Sequence, residues 1–180
     1  GDCLPTCPTG AITFVEREAP AYDEAAVKKA KEEKAAARQG CPGSRTRERI
    51  PQAPTQGSCP SQLRQWPVQI KLVPVQAPWL EGADLLIAAD CTAYAYGDFH
   101  RDFLRGKILL VGCPKLDQGD YSEKLEKIFA SNSLASVTVL RMEVPCCGGL
   151  ERAVKAAIAA SGREIPCQVT TITTDGKIKE

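Results

Sequence analysis

The feature that most limits what this chain can fold into is a regular alternation in its second part. Short β-rich runs fall at 68–73, 84–89, 107–111, 136–142 and 169–173, with helix-sized segments between them. Helices are predicted at 96–105, 121–131 and 150–161. Strands separated by helices pair in parallel, with right-handed crossovers that place helices on both faces of the sheet. The expectation is therefore an α/β, doubly wound, mainly parallel sheet of about five strands spanning residues 67–180.

Two smaller segments precede it. Residues 1–18 carry Cys3 and Cys7 and end in the strand-like run Ala11-Ile12-Thr13-Phe14-Val15. Residues 19–66 combine a helix and a linker. The helix, 22–39, is charged and alanine-rich, with Asp23 as N-cap and Gly40 as its stop. Its weak apolar face suits a bridging or peripheral helix. Residues 40–66, rich in Gly, Pro, Ser, Gln and Arg, read as an extended irregular linker.

Within the alternating part, the cysteines recur at one structural position. Cys91 follows the run 84–89, Cys113 follows 107–111, and Cys146 and Cys147 follow 136–142. Each falls at or just beyond the carboxyl end of a predicted parallel strand, the edge where open α/β sheets bind ligands. Gly112, Pro114, Pro145, Gly148 and Gly149 allow tight turns and a close approach by a bulky group. A single strand-end cysteine is ordinary packing. Three successive strand ends plus a vicinal pair point to thiolate ligation. Cys41, in Gly40-Cys41-Pro42-Gly43, could supply a fifth thiolate or remain a loop thiol. Cys59 and Cys167 read as incidental or packing residues.

Composition narrows the chemistry. The chain has nine cysteines and one histidine, so mixed cysteine–histidine zinc sites have little to draw on. Thiolate-only ligation leaves an iron–sulfur cluster or an all-cysteine zinc site. The net charge of +1 argues against a nucleic-acid surface. No apolar run is long enough to span a bilayer, and the first residues lack the pattern of a signal peptide. The chain reads as cytoplasmic. There is no Gly-x-Gly-x-x-Gly after the first strand and no Gly-Lys-Ser/Thr loop, which speaks against a nucleotide or flavin site.

Cys3-Leu4-Pro5-Thr6-Cys7-Pro8-Thr9-Gly10-Ala11-Ile12 resembles the last half of a two-[4Fe-4S] ferredoxin motif. By that resemblance Cys3 would serve one cluster and Cys7 the other. The cysteines that come earlier in the motif are absent because the chain opens at Gly1, so this piece reads as a truncated ferredoxin-like module that holds no cluster alone. The blocks Gly40-Cys41-Pro42-Gly43-Ser44, Gly112-Cys113-Pro114-Lys115 and Val144-Pro145-Cys146-Cys147-Gly148-Gly149 are similar to those of an anaerobe family in which a ferredoxin module precedes a cysteine-bearing α/β domain. The Cys-Cys-Gly segment also resembles the cysteine-rich domains of disulfide-reducing iron–sulfur enzymes. The resemblance implies an iron–sulfur cofactor, [4Fe-4S] or an unusual cluster, and electron transport to a redox partner protein. The first function expected is thus a ferredoxin-like electron carrier with Cys41, Cys91, Cys113, Cys146 and Cys147 at an extra cluster. The second is an oxidoreductase acting on a small molecule or disulfide at an open cluster site. Lys115, Asp117, Asp90, His100 and Arg141 would then move protons or bind an anion. The third is a structural zinc domain with four thiolate ligands.

Overall fold

The computed structural model describes residues 60–179 continuously, together with the pair Arg47–Glu48 and the helical positions Glu24 and Val27. The chain divides into two units, Gly1–Gln39 and Gly40–Glu180. In the first, Glu24 and Val27 both fall within the predicted helix. Cys3, Cys7, Cys41 and Cys59 lie outside the described residues.

The second unit opens with a two-residue antiparallel ladder between β1 (Arg47–Glu48) and β2 (Gln65–Trp66). The main sheet has four parallel strands: β3 (Asp84–Ala89), β4 (Ile108–Gly112), β5 (Ser136–Met142) and β6 (Cys167–Ile172). Their spatial order is β4-β3-β5-β6. Two α-helices of full length, α2 (Ser122–Ser131) and α3 (Gly148–Ala160), pack on one another. Right-handed connections account for this pairing. From β3 the chain steps outward to β4, then returns past β3 to β5 and on to β6, so α2 and α3 share one face. The 90–107 connection crosses the other.

The predicted fifth strand at 68–73 is a correction. Only one parallel bridge forms, Gln69 with Val111, held by Val111 N–H to Val68 O at 2.8 Å and Ile70 N–H to Val111 O at 3.0 Å. The chain then turns, with the N–H groups of Leu72 and Val73 both bonding Gln69 O. The run is apolar because Ile70 and Val73 are fully buried in the core, not because it extends along the sheet. Gln65, also fully buried, occupies the outer edge of β4: its side-chain amide donates to Leu109 O and its amide oxygen accepts from Leu109 N–H at 3.4 Å. A side chain thus pairs with an edge that would otherwise be open.

The single helix predicted at 96–105 is also corrected. It is α1 (Thr92–Ala95) followed by a π turn, His100–Leu104. Tyr96 is extended, and Gly97-Asp98 is a poor helix interior. The other helices follow their apolar spacing. Leu125, Ile128 and Phe129 of α2 are fully buried at i, i+3, i+4, and each such side chain contributes roughly 1.5–3 kcal/mol.

Candidate functional site at the switch point

The direction of winding reverses at β3: the chain moves from it to β4 on one side and reaches β5 on the other. Such a reversal opens a crevice between the carboxyl ends of β3 and β5, where doubly wound folds bind ligands. Cys91 sits on the β3 side, in the turn that leads into α1. Cys146 and Cys147 sit on the β5 side, in the one-turn helix Pro145–Cys147 that runs directly into α3. Cys113 follows β4 on the adjoining loop. All four thiols are free. Cys91 and Cys146 are exposed, Cys113 is half-buried, and Cys147 is buried.

Cys147 has close thiol neighbours. Burial pushes its pKa up, a backbone hydrogen bond from Met142 opposes that, and neighbouring Cys146 and Cys91 push it further up. The Cys113 loop is tied to the same place through glycine. A Cβ on Gly149 would lie 3.1 Å from Pro114 Cβ, so the absence of a side chain there lets the β4 loop pack on the start of α3.

Behind Cys91 and Cys113 lies a small acidic group. Tyr121 is buried at the head of α2 and its hydroxyl donates to Asp117 Oδ2. Burial first, then that bond and the charges of Asp117 and Asp90, hold the phenol above its ordinary pKa. Asp90 Oδ1 is shielded from solvent and has no hydrogen-bond partner. Its carboxyl is pushed up by burial and by the charge of Asp117.

The remaining wall comes from the C-terminus. The turn after β6 returns as a hairpin, bridged by Ile172 with Ile178. Glu143, just beyond β5, holds it by accepting from Thr174 N–H at 3.0 Å and by pairing with Lys179 at 3.5 Å. Gly176 at its tip approaches α1 so closely that a Cβ would lie 2.3 Å from Ala95 O.

Of the other residues named from sequence, His100 is turned to structure: its Nδ1 accepts from Gln62 N–H at 3.1 Å, and its ring packs edgewise on Phe99. Lys115 is exposed on the β4 loop. Arg141 meets Glu151, with Nε 3.2 Å from Oε2. Cys167 opens β6 at the opposite, amino-terminal edge of the sheet, in keeping with an incidental role. Sequence reasoning missed Tyr121, Arg152 and Gly176. Only Gly176 left a signal, in the turn dipeptide Asp175-Gly176.

The donor set can be tested against the metals it implies. A single zinc ion needs its thiolates about 2.3 Å from one centre. Among the described residues, no three His, Cys, Asp or Glu side chains converge to hold one ion. A cluster spreads its thiolates over several irons and so suits donors standing on three separate loops. In donor type and in edge, Cys91, Cys113, Cys146 and Cys147 fit such a group.

No helix among the described residues is long and apolar enough to cross a membrane. An uncharacterised protein of Archaeoglobus fulgidus is 32% identical over 118 residues, covering 66% of this chain and 84% of the relative. No solved structure matches the chain. Residues 77–180, which carry β3 to β6 and every described thiol, match the Rossmann-like domain, and the chain belongs to that family.

Proposed function

We propose that this chain is an iron–sulfur protein that transfers electrons, with a cluster held at the switch point by Cys91, Cys113, Cys146 and Cys147. The observation that carries the reading is the placement of four free thiols on the loops after three neighbouring strands, β4, β3 and β5. A bound cluster would supply one-electron redox chemistry there. The chain's own part is to present thiolates beside the start of α3, the end of the helix dipole that favours negative charge. Cys41 would add a fifth thiolate or exchange with one of the four. Cys3 and Cys7 would belong to a ferredoxin-like module that passes electrons to or from a redox partner protein. Free thiols in this number suit the reducing cytoplasm.

The experiment is metal and sulfide analysis of the full chain purified without air. Iron with acid-labile sulfide and a broad visible band is the expected result. Neither iron nor band after careful anaerobic reconstitution would sink the proposal. Stoichiometric zinc without iron would replace it with the zinc-domain reading.

A second reading, an oxidoreductase acting on a small molecule or disulfide beside an open cluster, is favoured by one observation. A cleft lies between the β4 loop that follows Cys113 and the start of α3 that follows Cys147.

A further inference from the structure

That cleft has a volume of about 350 Å³ and is lined by Pro114, Asp120, Tyr121, Gly149, Arg152 and Ala153 among others. It is within the range of small-molecule sites, roughly 300–1,000 Å³. Its charges are divided. Asp120 is held as an anion by Ser122, whose N–H bonds Oδ1 at 3.0 Å, and by the Ser122 hydroxyl. Arg152 supplies the opposite sign. Left to itself, an exposed arginine carries its head out into water. This one lies back over the glycine pair: a Cβ on Gly148 would be 3.3 Å from Arg152 Nη1 and 3.6 Å from Arg141 Nη1. Two guanidiniums, from β5 and from α3, therefore flank one glycine that immediately follows Cys147.

Their neutralisation is incomplete. Glu151 serves two cations, with Arg141 Nε at 3.2 Å and Lys155 Nζ at 2.6 Å. Arg141 Nε is shielded from solvent and, despite that contact, makes no hydrogen bond. Arg152 has no ion pair among the described residues. Three cations thus gather around one carboxylate, and planar guanidiniums suit a carboxylate or phosphate in particular.

We propose that the cleft between the β4 loop and α3 binds a small molecule by its carboxylate or phosphate, which Arg152 holds from the cleft wall while Arg141, on the same glycine, adds positive charge from behind it. The Asp120 side would receive an amine or hydroxyl of the same molecule. The inference names the ligand class of the site proposed above and rests on that reading only for the chemistry that follows binding.

The test uses the iron-free full chain, so that binding is read apart from any cluster. Inorganic phosphate and acetate are titrated separately by calorimetry, at ionic strength held constant with chloride, while backbone amide shifts are followed by NMR. Saturable binding of at least one probe is expected, with the largest shifts at Gly148, Gly149 and Arg152. Arg152→Gln should weaken it by about tenfold or more, as loss of a charge-assisted hydrogen bond implies, and Arg141→Gln, which removes only a nearby charge, by less. Lys127→Gln, on α2 and paired with Glu123, should leave it unchanged. Phosphate alone would assign a phosphoryl ligand, acetate alone a carboxylate, and both the shared class. Failure of both probes to saturate, or equal weakening by all three variants, overturns the inference. A chain that binds phosphate yet never takes up iron would overturn the cluster proposal and leave this one standing.

Discussion

Gly176 and Gly162 both adopt positive φ, +80° and +68°, but their surroundings differ completely. A Cβ at Gly162 would meet nothing within 4 Å, whereas one at Gly176 would stand 2.3 Å from the backbone oxygen of Ala95. Replacing each by alanine separates conformational cost from collision. Placing an L-residue in the left-handed region costs about 1–2 kcal/mol. Alanine recovers about 0.4–1 kcal/mol by restricting the unfolded chain. Gly162→Ala should therefore lose between about 0 and 1.6 kcal/mol. At Gly176 a backbone carbonyl cannot swing aside, so either the hairpin or α1 must move, adding about 1–3 kcal/mol. The assay is urea unfolding of both variants, comparing midpoints at unchanged m. If the hairpin detaches instead of the whole domain weakening, hydrogen exchange will show it. Protection would fall at Thr173, which bonds Lys177 O at 2.8 Å, and at Lys179, which bonds Thr171 O at 2.8 Å. Equal losses at the two glycines, with hairpin protection intact, would refute the close approach that walls the switch point.

Other outcomes follow from the same contacts. Gly112→Ala places a Cβ 2.6 Å from the Tyr121 hydroxyl and should cost about 1–3 kcal/mol; most of that should vanish in a Tyr121→Leu background, measured as a double-mutant cycle. The Thr174 backbone N–H, aided by Lys179, holds the Glu143 carboxyl below its ordinary pKa. A depressed acid stabilises the fold above its unfolded pKa and loses that contribution as pH falls through its folded value. Melts of the native chain and Glu143→Gln should thus differ at neutral pH and converge on acidification; a constant gap would exclude this linkage. Ile128→Ala, at a fully buried position of α2, should lose about 2–5 kcal/mol in denaturant unfolding, far more than a change at exposed Lys127.

The order of elements and the edge on which the thiols gather could be read from the chain, because both depend on local pattern. A run such as Asp84–Ala89, apolar at five of six positions, has to be a strand buried on both faces, and its successor loop then has a known edge. The run at 68–73 carried the same pattern for another reason. Its buried residues plug the core from a turn: Gln69 meets β4 only at Val111, one residue before that strand ends, so residues 70–73 have no edge to run along. The identity of the switch strand is likewise a matter of strand order, which periodicity does not encode. Around the site, cysteines announce themselves by type. Arg152 and Tyr121 do not, since each looks like any residue of a charged or amphipathic helix until Gly148, Gly112 and Asp117 are brought against them. His100 shows the converse: a conspicuous lone histidine that the fold uses to anchor Gln62.

The central claim is that Cys91, Cys113, Cys146 and Cys147 hold one cluster between them. Mössbauer spectra of the full chain, reconstituted anaerobically with enriched iron and compared with Cys113→Ala and Cys147→Ala, test it most directly. Loss of the same iron–sulfur component in both variants is the predicted result. Spectra of the native chain without any cluster component, or a component untouched by either substitution, would contradict it.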